Sequence, residues 1–318
     1  MRSLVLTLAL CACQPAPFID WGALKNPILE KPDRCIKNQT VVLHEGKFWV
    51  FAFQRFDEGP AGPETSSAGV FTTRDFREWQ TLEPPALSAL STSDVLDVDG
   101  GWQLVTQGTP STSSGPLRLL HSTSKDLVTW ETLKELAPQN EPAQRQIDGA
   151  LAFAEGHFWL GYKGDQDFYV MRSEGAELDG RWQPPQRASA GGEWAEAFHF
   201  IELDGVWHLV ATGRDPKGFR CPNPYTCSHE PFIYRRDGDD WTRWVDKRQL
   251  KIQVEDWNQE AHANGASLND WRAHDGWYYL FYSGSNDGDR FAGRGHCKLG
   301  VARSKNLVDW RLAGDMRE

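Results

Sequence analysis

The residues best placed to do chemistry are polar side chains that stand just before apolar runs of the chain. They are Asn38, Asp94, Asp148, Glu196 and Asn264. Asp148 and Glu196 are carboxylates at matching points of consecutive runs. A pair of carboxyl groups can act as general acid and general base, the chemistry that cleavage of a glycosidic bond requires. The alternative interpretation is that both are ordinary polar residues at strand starts.

These runs belong to a module that occurs five times in the 318 residues. Each copy has an apolar run, a turn with a glycine, an aromatic-rich run and a further run that ends on Trp. The turn glycines recur every 49 to 71 residues, at Gly46, Gly100, Gly156, Gly205 and Gly276. An acidic residue followed by Gly between β-rich runs is typical of a tight hairpin turn, and the period suits a four-stranded blade. The sequence therefore predicts an all-β fold, a five-bladed β-propeller of four-stranded antiparallel blades.

The Trp that ends each module is predicted to fill the space between neighbouring blades. These residues are Trp79, Trp130, Trp182, Trp244 and Trp310. The chain has 15 Trp, so that Trp21, Trp194 and Trp257 stand outside the pattern. Aromatic faces can bind the C–H groups of sugars, although a buried core is their commoner use.

Charge and motifs exclude several classes of function. The net charge of −10, with no basic run, argues against a nucleic-acid partner. Motifs of serine esterases, zinc proteases, nucleotide hydrolases and dinucleotide-binding enzymes are absent from the sequence. We expect residues 21–318 to form one domain.

The N-terminus is predicted to be a sorting segment. Arg2 precedes a short apolar stretch and Leu10-Cys11-Ala12-Cys13, which resembles a bacterial lipobox. The resemblance implies that residues 1–13 carry the signal, that Cys13 becomes lipidated and that residues 14–20 form a tether. A plain secretory signal is the alternative. Either places the protein in the bacterial cell envelope or outside the cell, with no membrane contact beyond the lipid.

An oxidising compartment allows the remaining cysteines to pair. Cys221 and Cys227 bracket a Pro-rich loop and are predicted to form a local disulfide, which leaves Cys35 and Cys297 as a candidate long-range disulfide. The alternative is a metal site, but the spacing is not that of a zinc knuckle.

A short recurrent phrase carries a resemblance to a known group of proteins. It occurs as Ser124-Lys125-Asp126-Leu127-Val128-Thr129-Trp130, and again at residues 304–310 and 73–79. The phrase resembles the S-x-D-L-x-x-W of the five-bladed glycosidase propellers, glycoside hydrolase families 43 and 62 and, more distantly, 32 and 68. In such propellers the residues before each innermost strand converge on one pocket.

The resemblance implies roles for the candidate residues. The stretch around Asp148 is similar to the one in family 43 whose Asp modulates the acid, and Trp194-Ala195-Glu196 is similar to the one that carries the general acid. Where families 43 and 62 have an Asp as general base, this chain has Asn38, and an amide cannot accept a proton from water. Asp33 or Asp94 could replace it, or the site could use an external nucleophile such as phosphate.

Two functions remain open at this stage. One is a glycosidase acting on an extracellular poly- or oligosaccharide, similar to an arabinofuranosidase or xylosidase. The other is a catalytically impaired propeller that binds glycans at the cell surface. Asn38, Trp194, Asn264, His262 and Trp257 are the candidate sugar-contacting residues.

Neither function requires a cofactor. No metal site is predicted in the pocket, although His262 lies near the place where family 43 often has a metal-holding His. Asp287 and Asp289 are candidate ligands for a structural calcium ion, with a solvated loop as the alternative. The protein is expected to be a monomer.

Overall fold

The structure is a computed structural model. It describes residues 18–56, 65–82, 87, 91–108, 117–136, 145–165, 167–190, 195–214, 229–259, 261–286 and 297–317. The predictions for Cys13, Trp194, the Cys221–Cys227 pair, Asp287 and Asp289 lie outside these residues.

The predicted all-β fold is confirmed. Twenty strands make up most of the described chain, and its helical elements are the short α1 (Arg272–Asp275) and a 3-10 turn at Trp21–Ala23. Within the described residues, no helix has the length and apolar character needed to cross a bilayer.

The strands are arranged in consecutive antiparallel sets. The first sheet holds β1 (Arg34–His44), β2 (Lys47–Phe56), β3 (Thr65–Thr73) and β4 (Gln80–Leu82). The second holds β5 (Ser91–Val98), β6 (Gly101–Gly108), β7 (Arg118–Ser124) and β8 (Lys134–Glu135).

The third and fourth repeats share one eight-stranded sheet instead of forming two separate sheets. It contains β9 (Ile147–Ala154), β10 (His157–Gly164), β11 (Asp167–Arg172), β12 (Gln186–Ala190), β13 (Ala195–Leu203), β14 (Val206–Arg214), β15 (His229–Asp237) and β16 (Asp240–Gln249). The two antiparallel halves join where β12 pairs with β16 in parallel over two residues, Ser189 and Ala190. This short contact covers backbone groups that two edge strands would otherwise leave unpaired.

The last sheet and the N-terminal segment close the molecule. The sheet holds β17 (Ala261–Asp270), β18 (Tyr278–Ser285), β19 (Lys298–Ser304) and β20 (Trp310–Leu312). The strands β1, β5, β9, β13 and β17 each contact the next, and β17 contacts β1, so these inner strands form a closed ring. Ile28 and Leu29 exchange backbone hydrogen bonds with Leu299 of β19. The predicted disulfide between Cys35 and Cys297 is confirmed, and it joins β1 to the segment before β19.

The hairpin turns confirm the prediction for the acidic-Gly pairs in the first four repeats. Glu45 and Gly46 have φ of 50° and 67°, and Asp204 and Gly205 have φ of 52° and 78°. Two consecutive positive φ values are what a type I′ turn requires. The fifth repeat differs, because Gly276 ends α1 in a left-handed conformation instead of forming a two-residue hairpin turn.

Five hydrophobic clusters fill the spaces between neighbouring sets of strands. Four of the predicted Trp residues are buried members of these clusters: Trp130, Trp182, Trp244 and Trp310. Trp79 packs at the edge of the first cluster, and its indole donates a hydrogen bond to the Ile28 carbonyl. The core is therefore divided among the wedges between sheets.

The recurrent Ser-x-Asp-Leu phrase forms a turn that precedes the closing Trp of its repeat and positions it in the core. In the second repeat, Asp126 Oδ1 accepts hydrogen bonds from the backbone N–H groups of Val128 and Thr129. Ser124 Oγ accepts another from Leu127, which has a φ of 62°. In the last repeat an Asn side chain makes the corresponding two bonds. The phrase is structural, and its acceptor oxygen can come from Asp or Asn.

Candidate active site

Each inner strand has a β-bulge near its start. The register shifts lie at Lys37/Thr40, Thr92/Asp94, the β9 residues opposite Gly161/Lys163, Glu196/His199 and Asn264/Ser267. Four bulge residues have positive φ: Asn38 at 49°, Asp148 at 55°, Ala197 at 52° and Gly265 at 57°. A bulge re-aims side chains that a regular strand would place on its faces. The predicted polar residues thus stand where the ladder is interrupted.

Asp148 lies on β9 in a largely buried position. Its backbone N–H donates a hydrogen bond of 2.8 Å to Gln107 Oε1, and its carboxylate accepts one from the Ala197 N–H. Burial raises the pKa of Asp148 to about 6, and the nearby Glu196 charge acts in the same direction. Lys163 and Lys37 oppose the rise. Asp148 can therefore hold a proton at mildly acidic pH.

Glu196, on β13, is held between two basic side chains. Lys163 Nζ donates a hydrogen bond of 3.2 Å to Glu196 Oε2, and His229 Nε2 lies 3.6 Å from Oε1. The Lys163 side chain is only 3% exposed, whereas that of Glu196 is 21% exposed. The buried Lys163 and His229 side chains thus hold the carboxylate in place while part of it stays open to solvent, as is required of a group that contacts a ligand.

Lys37 and Asn38 occupy the bulge of β1. Burial lowers the pKa of Lys37, while the charges of Glu196 and Asp148 oppose that effect. Its Nζ lies 5.4 Å from the centre of the Phe53 ring. Asn38 and Asp148 both line a small cavity of about 20 Å³, a volume near that of one water molecule. The structure therefore brings Asn38 and Asp148 to the same place.

Gly265 makes this close approach possible. A Cβ on Gly265 would come within 2.8 Å of Asn38 Oδ1, and its φ of 57° is strained for other residues. Asn38 Oδ1 is buried and has no hydrogen-bond partner among the described residues. A buried acceptor of this kind is costly to leave without a ligand or water.

Asp94, a predicted substitute for the base, is a buried side chain whose hydrogen bonds join neighbouring repeats. Its carboxylate accepts hydrogen bonds from the Thr40 hydroxyl and from the N–H groups of Val95 and Leu151. His199 Nδ1 lies 3.6 Å from Asp94 Oδ1. Burial opposes the charge on His199, but Asp94 raises its pKa above the usual value. These contacts join four of the five repeats.

Asp33, the other predicted substitute, lies outside the cluster. Its carboxylate is 54% exposed and is bound by the guanidinium of Arg34. The arginine lowers the pKa of Asp33. No contact among the described residues joins Asp33 or Asp94 to Asp148 or Glu196.

The remaining predicted residues have structural partners. The Asn264 Oδ1 accepts a hydrogen bond from the Gly265 N–H, and His262 Nδ1 lies 2.8 Å from Glu230 Oε1 in a buried pair. The indole of Trp257 donates to Glu255 Oε2 and stacks on a neighbouring tyrosine ring. Trp257 is thus part of the packing. The described residues contain no group of three or more His, Cys, Asp or Glu arranged to hold a metal ion.

Sequence reasoning missed Lys163, His229 and Gln107. They lie on the second and third strands of their sets, whereas the repeat pattern directs attention to the first strand only. The one signal for Lys163 is a charged residue inside an apolar strand run. A charge there is expensive unless it is paired, which marks a candidate functional position.

One family model and several solved structures match this chain. The family model described as glycosyl hydrolases family 43 matches residues 88–311. A thermostable family-43 glycoside hydrolase has a TM-score of 0.62 at 12% identity, covering 91% of this chain and 97% of its own. An exo-1,5-α-L-arabinanase from a bovine ruminal metagenomic library has a TM-score of 0.59 at 16% identity, covering 89% and 99%.

A third solved structure, a mutant of the Cellvibrio cellulosa α-L-arabinanase, has a TM-score of 0.60 at 14% identity and covers 89% of this chain and 96% of its own. At these identities the likenesses concern the fold. A comparison with curated protein sequences finds no match.

Proposed function

Since the chain belongs to glycosyl hydrolases family 43, we propose that it cleaves glycosidic bonds of an extracellular poly- or oligosaccharide. The proposed architecture is a five-bladed propeller with four-stranded blades, in which the eight-stranded sheet counts as two. The closed ring of five inner strands supports this architecture. The proposed substrate has arabinofuranosyl or xylosyl units, and the arabinanases among the structural neighbours favour the former.

The observation that carries the proposal is the Asp148 and Glu196 pair at the bulges of β9 and β13. Glu196 is the general acid: it is partly exposed, and Lys163 and His229 fix its carboxylate. Asp148 is its modulator, a partly buried neighbour whose own pKa is raised by burial and by the Glu196 charge. As the bond from the anomeric carbon to the leaving oxygen breaks, a water oxygen bonds to that carbon, the leaving oxygen takes the proton of Glu196, and the water releases a proton to solvent.

A second candidate function is glycan binding without turnover, and Asn38 favours it. An amide cannot take a proton from the attacking water. Asp94 is buried among its own hydrogen bonds and Asp33 is exposed at Arg34, so their contacts do not support either as the base. In this case the same pocket would hold a saccharide end without cleaving it.

Hydrolysis of a panel of aryl glycosides and plant polysaccharides tests the first function. We expect turnover by the parent and its loss in Glu196→Gln, with Glu177→Gln, an exposed glutamate away from the site, as control. No turnover on any substrate, together with saccharide binding by the parent, would favour the second function.

The variant Asn38→Asp tests the interpretation of the first bulge. If residue 38 occupies the position of the base, an aspartate there creates or greatly raises hydrolysis. A folded Asn38→Asp protein with unchanged activity would show that residue 38 is not the position of the base.

We also propose that the protein is a monomeric envelope lipoprotein, anchored by a lipid on Cys13, with residues 21–318 as its one domain. The disulfide between Cys35 and Cys297 supports an oxidising location. Labelling of growing cells with a radioactive fatty acid, in the parent and in Cys13→Ala, tests the anchor.

A further inference from the structure

The proposed mechanism leaves one partly buried charge without a task, the ammonium of Lys37. It lies on β1 next to Asn38 and faces the Phe53 ring. Its side chain has no hydrogen bond or ion pair with the described residues, unlike Lys163, which is bound to Glu196. Burial works against the charge of Lys37. Glu196 and Asp148 favour the charge from a distance, but an ammonium without a direct partner is a place where an anionic ligand can pair.

The neighbourhood of Lys37 carries more positive than negative groups when Asp148 holds a proton. Lys37 and Lys163 lie near the Asp148 and Glu196 carboxylates. A general acid must be protonated to act, and each proton taken up leaves the two ammonium groups with less compensation. Such an excess is unusual in a protein with a net charge of −10, and an anion is the ligand that would balance it.

We propose that Lys37, with the Asn38 side chain beside it and Lys163 behind Glu196, forms a subsite for an oxyanion. The inference rests on the proposed function, because the anion would enter the same pocket as the saccharide. Two sources share this chemistry. One is free inorganic phosphate, and the other is the carboxylate or sulfate of an acidic sugar.

Phosphate as the nucleophile would also remove the need for a general base at residue 38. An oxygen of the phosphate dianion attacks the anomeric carbon while the bond from that carbon to the leaving oxygen breaks. The electron pair of the broken bond stays on the leaving oxygen, which takes a proton from Glu196. The products are a glycosyl phosphate and the shortened saccharide. No water is consumed, and no residue has to accept a proton.

An acidic sugar would use the subsite for recognition alone. Its carboxylate or sulfate would pair with Lys37, and a neutral sugar of the same shape would leave that ammonium uncompensated. The site would then discriminate against neutral saccharides.

Calorimetric titration with phosphate and with sulfate, against sodium chloride of equal ionic strength, tests the subsite without requiring turnover. We expect both oxyanions to bind the full-length protein, and Lys37→Met to weaken binding by about tenfold or more. Lys37→Arg keeps the charge and should bind within a few-fold of the parent. Lys125→Met, an exposed lysine on the outer turn of the second repeat, is the matched control. No binding heat above chloride in the parent, or equal binding by parent and Lys37→Met, overturns the proposal.

Product analysis then separates the two sources. Glycosyl phosphate formed from a saccharide panel in the presence of phosphate assigns the subsite to phosphate. Free sugar as the only product, with at least about tenfold faster turnover of aryl uronides or sulfated glycosides than of their neutral counterparts, assigns it to the substrate. An anion that binds but changes neither product nor preference overturns the role. Turnover of neutral glycosides without any oxyanion effect would support the glycosidase and reject the subsite.

Discussion

Replacing Asp148 with asparagine should stabilise the folded protein above neutral pH, although it alters the proposed active site. The carboxyl has a pKa of about 6 in the folded state against a usual 3.8, and burial is the main cause. The folded state therefore keeps a proton between about pH 4 and 6 that the unfolded chain has released. Because the native state binds more protons there, the contribution of Asp148 to stability is complete below about pH 4 and is lost as the pH rises through about 6.

The size of the effect follows from the two pKa values. Their separation corresponds to about 3 kcal/mol. An asparagine has no charge to bury, and its amide oxygen can still accept the hydrogen bond from the Ala197 N–H. The free energy of unfolding of Asp148→Asn, minus that of the parent, should thus rise by about 3 kcal/mol as the pH is raised from about 4 to 8.

Urea unfolding of both proteins at intervals from about pH 4 to 8 measures this difference. Asp315→Asn serves as control, since Arg317 holds the pKa of Asp315 at about 2. Asp315→Asn should lower the free energy of unfolding by an amount that is constant from about pH 4 to 8, because the Asp315 carboxyl titrates below that range. Parallel stability curves for the parent and Asp148→Asn would refute the argument, because they would mean that the folded state does not disfavour the Asp148 charge.

Three further substitutions test the framework of the site. Asp94→Ala leaves buried donors such as the Leu151 N–H unpaired. It should therefore lower the free energy of unfolding by about 3–5 kcal/mol in denaturant titrations. A loss below about 1 kcal/mol would contradict the role of Asp94 in joining the repeats. Replacing Cys35 and Cys297 together by Ala opens a link across 262 residues and should cost about 4–5 kcal/mol, seen as a lower melting temperature; an unchanged melting temperature would contradict this. Gly161→Ala places a methyl group 2.7 Å from the Phe200 ring. The resulting overpacking should cost about 1–3 kcal/mol, and an unchanged melting temperature would show that the rings move aside freely.

The fold was largely predictable because its signals are local and repeated. An acidic residue followed by Gly requires little context to form a tight turn, and Asp204-Gly205 does so. The closing Trp is also marked locally, by the turn before it. By contrast, the pairing of β12 with β16 depends on how two sheet edges approach each other, and no pattern in the sequence of either strand predicts it.

Of the candidate site, only the residues at the starts of the inner strands could be predicted from the sequence. Position in the repeat is enough to bring Asp148, Glu196 and Asn38 to one end of the ring. Repeat position says nothing of strand register, and a bulge decides where a side chain points. For this reason Asp94, which looked equivalent to the others, turns inward to the hydrogen bonds that join the repeats. Lys163 comes from a strand with no positional cue and meets Glu196 only after folding.

The bulges have a consequence for how such a protein can change over time. A bulge residue stands outside the regular pairing of its strand, so the sheet depends little on which side chain it carries. Asn38 illustrates this, since β1 keeps its pairing with β2 on both sides of the interruption. The bulges of β1, β9 and β13 therefore present Asn38, Asp148 and Glu196 without committing the strand pairing to these side chains. A reactive group at such a position can be gained, lost or exchanged while the sheets around it stay the same.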